Sequence, residues 1–102
     1  MAAFSKIEVL GTISATGLVP VFYHNDLSLV QQVLKACNKG GIRAFEFTNR
    51  GDFAHEVFAG LVKFVRRECP SMILGAGSVI DPATAAIYIQ SGADFIVGPL
   101  FN

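Results

Sequence analysis

Apolar positions recur along this chain with a period that switches between helix and strand. From Ser5 to Ala15, Ile7, Leu10 and Ser14 fall on one side, which predicts a weakly amphipathic helix ended by Gly17. Leu18-Val19-Pro20-Val21-Phe22-Tyr23 is a continuous apolar run of strand length, as buried parallel strands show. Pro20 removes one ladder donor, so an edge position or irregular pairing is expected there. Asn25 or Asp26 caps a helix in which Leu27, Val30, Val33, Leu34 and Cys37 recur at helical spacing, and Gly40-Gly41 stops it. Ile42 to Thr48 reads as the second strand. Asp52 is expected to cap a third helix, with Phe53, Val57, Leu61, Phe64 and Val65 on its inner face and Pro70 beyond its end. Met72 to Leu74 predicts a short third strand, followed by a tight turn at Gly75-Ala76-Gly77-Ser78. Asp81-Pro82 opens a fourth helix carrying Ala83, Ala86, Ile87 and Gln90, which Gly92 closes. Ala93 to Val97 is the fourth strand, and Gly98-Pro99 the turn after it.

Strand starts near residues 18, 42, 72 and 93 give repeats of about 21–30 residues, the length of a βα unit. Connections of this size impose parallel pairing. The predicted fold class is therefore α/β: four parallel βα units behind an N-terminal helix, with residues 1–102 as a single domain. A doubly wound sheet and half of a (β/α)8 barrel both satisfy the pattern. In either form, sites form at the carboxyl ends of the strands. Those ends carry Tyr23, Glu46 to Arg50, Gly75 to Ser78, and Gly98 to Asn102.

Glu46 is the most informative residue at that rim. In Ala44-Phe45-Glu46-Phe47-Thr48 the alternation sends Phe45 and Phe47 to one face and Ala44, Glu46 and Thr48 to the other. If that face is covered, the carboxyl loses hydration and its pKa rises, which suits general acid–base chemistry near neutral pH. The other reading is a half-solvated strand-end Glu paired with Arg50. Arg50 itself can pair with Glu46 or clamp an anionic substrate. The Gly75–Ser78 turn precedes a helix start, so its N–H groups suit either an anion or plain close packing. It lacks the third glycine of a dinucleotide fingerprint.

Composition narrows the partners. Hydrophobic residues make up 52% of the chain and charged ones 16%, against roughly 25% charged in typical soluble domains. So few charges predict apolar surface meant to be covered by more protein, either a second copy or more chain. Net charge is zero and no basic block appears, so nucleic acid is not an expected partner. No apolar stretch reaches about 18 residues, so no membrane span is expected. Met1-Ala2-Ala3-Phe4-Ser5-Lys6 lacks the features of a secretory signal. Cys37 and Cys69 have no metal-ligand spacing and read as free thiols of a cytoplasmic protein. His24 and His55 are isolated and expected in solvent.

Five segments, taken in order, carry a resemblance. They are Leu18-Val19-Pro20-Val21, Gly40-Gly41-Ile42, Phe45-Glu46-Phe47-Thr48-Asn49-Arg50, Gly75-Ala76-Gly77-Ser78-Val79, and Ser91 to Pro99. Together they resemble the 2-keto-3-deoxy-6-phosphogluconate (KDPG) and 4-hydroxy-2-oxoglutarate (KHG) aldolase family, from about residue 5 onward, over the amino-terminal half of its (β/α)8 barrel. The resemblance implies a class I aldolase, which needs no metal or other cofactor. It would release pyruvate from a phosphorylated sugar acid through a lysine Schiff base. Glu46 matches the family's proton-shuttling glutamate. Arg50 matches an arginine that holds the pyruvyl carboxylate, and Ser78 stands where the family usually has threonine. Thr48 and Pro99 match positions lining the site. The resemblance also implies a homo-oligomer, a trimer. Tyr23 departs from an arginine that some members carry. The family's Schiff-base lysine lies on a later strand. Lys6, Lys35, Lys39 and Lys63 all fall on or beside predicted helices, so the 102-residue piece alone is expected to be inactive. Two non-enzymatic readings stand beside this one: a self-assembling half-barrel module and a small-anion-binding α/β domain.

Overall fold

The computed structural model describes residues 2–98. Helices and strands alternate as α1 (Lys6–Thr16), β1 (Val21–Phe22), α2 (Leu27–Lys39), β2 (Ala44–Thr48), α3 (Ala54–Glu68), β3 (Ile73–Gly77), α4 (Pro82–Ser91) and β4 (Phe95–Val97). The strands form one sheet in the order β1-β2-β3-β4, with every neighbouring pair parallel. Sequential parallel strands with a helix in each crossover are the arrangement of a (β/α)8 barrel, here over four units.

The two faces of the sheet differ. Phe45, Phe47, Leu74 and Ala76 point to the helical side, where they bury with Val30 and Leu34 of α2, Phe58 and Leu61 of α3, and Tyr88 of α4. Each fully buried Val, Leu or Phe among them contributes about 1.5–3 kcal/mol relative to exposure. The opposite, inner face carries a smaller cluster at its lower end, where Val9 of α1 covers Ala44 and Ile73, flanked by Phe4, Ile13, Val19 and Phe95. Asp94 ties the N-terminal segment to this end. Its Oδ1 accepts from the Ala3 and Phe4 amides at 2.8 and 3.2 Å, and its Oδ2 from the Leu74 amide at 2.9 Å.

Several local expectations are corrected. β1 is only two residues long, because Pro20 cannot donate. Its carbonyl still accepts from the Glu46 amide at 2.9 Å. Leu18 and Val21 are exposed on this edge. Gly75-Ala76-Gly77 is not a turn but the upper half of β3, buried throughout. Asp52 does not cap α3. Phe53 occupies the N-cap at φ 61° with no side-chain cap, and its ring lies in solvent rather than on the inner face. On α1, Val9 is the buried residue and Ile7 and Leu10 are exposed. On α4, Tyr88 is buried, whereas Ala83, Ala86, Ile87 and Gln90 are exposed. Both helices are apolar on most sides, so periodicity alone could not choose the packed face.

Other expectations hold. Asp26 caps α2, accepting from the Ser28 amide at 2.9 Å. Asp81 caps α4 with Pro82 in its first turn. The uncovered apolar surface foreseen from composition is present: Ile7, Leu10, Ile87 and Ile89 are exposed. A groove of about 510 Å³ runs between α1 and β4, lined by Phe4, Val9, Leu10, Ile89, Phe95 and Ile96 among others. No helix among the described residues is long and apolar enough to cross a membrane.

Candidate active site at the upper end of the sheet

Strand register places Glu46. Val21 pairs with Glu46, Glu46 with Gly75, and Gly75 with Phe95. In parallel pairs the matched side chains share a face, and residues two apart along a strand share it too. Glu46 therefore lies on the inner face, one level above Ala44 and Ile73. The next level up is Thr48 and Gly77, with Val97 beside Gly77.

Two glycines shape the surroundings of the carboxyl. A methyl group on Gly75 would sit 2.2–2.4 Å from three carbons of the Phe95 ring. The ring thus lies where a side chain of β3 would otherwise stand, next to Glu46. A methyl group on Gly77 would sit 3.0 Å from Glu46 Oε2 and 2.8 Å from the Val97 Cβ. The carboxyl consequently leans up and across β3, over bare backbone. Glu46 is half-buried, and the resulting desolvation raises its pKa above the ordinary 4.5.

The pairing of Glu46 with Arg50 is absent. An ion pair is formed instead by Arg67 with Glu68, at 3.3 Å on the surface. Arg50 is exposed, in a loop where Gly51 (φ 77°) and Phe53 (φ 61°) turn the chain away from strand geometry. A methyl group on Gly51 would meet the Tyr23 hydroxyl at 3.1 Å, so this loop rests on Tyr23. Thr48 is half-buried on the same face as Glu46, and Ser78 is exposed directly after β3. Glu46, Thr48, Arg50 and Ser78 thus occupy the carboxyl ends of two adjacent strands. Pro99 lies outside the described residues.

Asn49 and Tyr88, which sequence reasoning passed over, join these ends. The Asn49 amide donates to the Gly77 carbonyl. Its side-chain Nδ2 donates to the Ser78 carbonyl at 3.2 Å, and its Oδ1 accepts from the Tyr88 hydroxyl at 2.7 Å. Tyr88 ends an aromatic row: Tyr23, Phe47, Phe58 and Tyr88 stand with successive ring centroids 5.4, 5.9 and 5.1 Å apart. Burial, with the nearby Tyr23 hydroxyl as a smaller influence, pushes the Tyr88 phenol to about 12. The available signal was chemical: a buried tyrosine hydroxyl requires a partner.

The remaining candidates are placed as expected. Lys6, Lys35, Lys39 and Lys63 are exposed on α1, α2 and α3. His55 is exposed, and so is His24, whose Nδ1 accepts from the Asp26 amide at 3.0 Å. Cys37 and Cys69 are free thiols. Among the described residues, no group of three or more His, Cys, Asp or Glu could hold a metal ion.

Four parallel βα units, with a desolvated carboxyl at the upper end of the inner face, define a (β/α)-barrel architecture of the kind that carries enzyme sites at its strand ends. The KDPG and KHG aldolase family matches residues 9–102, and the chain belongs to that family. It is 33% identical over 87 residues to the 2-dehydro-3-deoxy-phosphogluconate aldolase of Dickeya dadantii, a match covering 85% of this chain and 39% of that protein. It is also 33% identical over 89 residues to the KHG/KDPG aldolase of Escherichia coli K12, covering 86% and 40% of the two. The crystal structure of the 2-keto-3-deoxy-6-phosphogluconate aldolase of Zymomonas mobilis superposes with a TM-score of 0.68 at 25% identity, covering 82% of this chain and 38% of that one. The chain spans about 40% of the length of the curated relatives it matches.

Proposed function

We propose that the protein containing this chain is a class I aldolase. It would cleave 2-keto-3-deoxy-6-phosphogluconate to pyruvate and glyceraldehyde 3-phosphate, and 4-hydroxy-2-oxoglutarate to pyruvate and glyoxylate. The observation that carries this reading is Glu46: a half-buried carboxyl without a cation partner, raised in pKa by desolvation, facing the open upper end of the sheet.

In this reading a lysine outside the four exposed on α1, α2 and α3 forms the imine with the keto carbon. The C4 hydroxyl then loses its proton, the C3–C4 bond breaks, and its electron pair passes into the imine to leave an enamine. Glu46, acting through water, takes the hydroxyl proton and returns a proton to C3 before hydrolysis frees pyruvate. A carboxyl whose pKa is raised toward neutrality serves both directions of this transfer. Arg50 would hold the pyruvyl carboxylate bidentately. Thr48 and Ser78 would supply hydroxyls to it, and Pro99 would line the pocket.

The test is Glu46→Gln in the full-length protein. The variant is expected to keep pyruvate binding and to lose cleavage by at least about 10²-fold, the scale of a general acid–base group. Turnover near that of the unaltered protein would reassign Glu46 as structural.

A further inference from the structure

The strand ends proposed to bind substrate are joined by the Asn49 side chain, and the joint is anchored from the helical layer. Thr48 and Arg50 flank Asn49 in sequence, and Ser78 lies at the other end of its hydrogen bond. Both ends of the Asn49 amide are used. Exchanging its oxygen and nitrogen would turn Oδ1 toward the Ser78 carbonyl, oxygen against oxygen, so that carbonyl fixes one orientation, and in it Oδ1 accepts from the Tyr88 hydroxyl. Tyr88 is itself fixed: it is 1% exposed, and it meets Phe58 edge-on at 76°. Residues 39 apart in sequence are thereby held in one geometry by a phenol that remains protonated, and so a donor, up to about pH 12.

We propose that Asn49 and Tyr88 are positioning residues, which set the separation between the Thr48–Arg50 segment and Ser78 and so preform the grip on the substrate's carboxylate end. The substrate part of this inference rests on the aldolase reading above. The clamp itself does not.

Tyr88→Phe in the full-length protein keeps the ring and removes only the hydroxyl. The Asn49 amide, which donates to the Gly77 carbonyl, is expected to exchange with solvent roughly tenfold faster, while the Phe45 amide in the middle of β2 is unchanged. KM for the keto acid should rise three- to tenfold, about what one lost hydrogen bond removes, with kcat altered less than twofold. Asn49→Asp puts an oxygen against the Ser78 carbonyl and should raise KM further. Asn49→Leu combined with Tyr88→Phe should be no worse than Asn49→Leu alone, because the two act as a unit. Unchanged Asn49 exchange in Tyr88→Phe would overturn the clamp. Faster exchange with KM unchanged would overturn the positioning role. If the unaltered protein cleaves no keto acid, the aldolase reading fails, and the exchange measurement still decides the clamp.

Discussion

Replacing Gly75 with alanine tests the geometry around Glu46 most directly. Gly75 is fully buried in β3, and its φ is not positive, so its backbone does not require glycine. Alanine there should, in isolation, gain about 0.5–1 kcal/mol from reduced freedom of the unfolded chain. The structure opposes that gain. The new methyl would lie 2.2 Å from the nearest Phe95 ring carbon, whereas carbon–carbon contact is comfortable at about 3.5 Å, so the ring must retreat by about 1.3 Å. Phe95 packs beside Val9, Ala44 and Ile73, and overpacking of this kind costs about 1–3 kcal/mol. The net expectation is a loss of up to about 2.5 kcal/mol, read as a lower midpoint in urea unfolding of the full-length protein. Gly11 is the control. It lies inside α1 with nothing within 4 Å of an added methyl, so Gly11→Ala should stabilise by about 0.5–1 kcal/mol. Phe95→Leu added to Gly75→Ala should recover part of the loss, with a coupling of at least about 0.5 kcal/mol. If Gly75→Ala stabilises as Gly11→Ala does, the Phe95 ring does not cover β3 and the account of Glu46's desolvation is wrong.

Three further outcomes can be measured. The folded state holds the Glu46 proton to higher pH than the unfolded chain, so this group's contribution to stability is full below pH 4.5 and is lost as pH rises through the folded pKa. Urea titrations should show that decline in the unaltered protein and its absence in Glu46→Gln, and a decline of equal size in both would remove Glu46 as its source. Borohydride treatment of the 102-residue chain with pyruvate should leave its mass unchanged, since all four lysines are exposed on helices. A stable adduct on any of them would contradict this. Asp94→Ala removes the acceptor for the Ala3, Phe4 and Leu74 amides and should cost about 1–3 kcal/mol, with faster exchange at those amides. Unaltered exchange would show that the N-terminal segment is held by other contacts.

The legible parts of this fold are those where the pattern leaves one choice. In β2 the alternation around Phe45 and Phe47 fixed both the strand and the face of Glu46. In α2 the Leu27, Val30 and Leu34 stripe fixed the helix and its packing. α1 and α4 failed for the opposite reason: nearly every side is apolar, so tertiary contact rather than periodicity selected Val9 and Tyr88. Gly75-Ala76-Gly77 misled because glycine usually punctuates loops. Here the missing side chains instead admit the Phe95 ring and the Glu46 carboxyl, which only the register of β3 against β2 and β4 reveals. The Glu46–Arg50 pairing was undecidable, since it depends on a loop whose course is set by positive φ at Gly51 and Phe53. Asp52 had the right chemistry for a cap, but Phe53 in the left-handed conformation starts α3 one residue later.

The level at which Glu46 stands accounts for its combination of properties. The inner face is graded along the strands. At the level of Ala44 and Ile73 it is sealed by Val9 of α1. At the level of Thr48 and Gly77 it opens, with Thr48 half-buried and Val97 37% exposed. A carboxyl in place of Ala44 would be fully desolvated, held beneath apolar side chains and out of reach of any ligand. One in place of Thr48 would be better hydrated and closer to ordinary acidity. Only the level between them has an apolar neighbour beside the carboxyl, the Phe95 ring over Gly75, and above it a residue without a side chain, Gly77, into whose space the carboxyl oxygen leans. Desolvation raises the pKa, while the carboxyl itself stays only half-buried. The two glycines are what permit both at one residue, so the chemistry of Glu46 depends as much on the side chains that β3 lacks as on those that β2 provides.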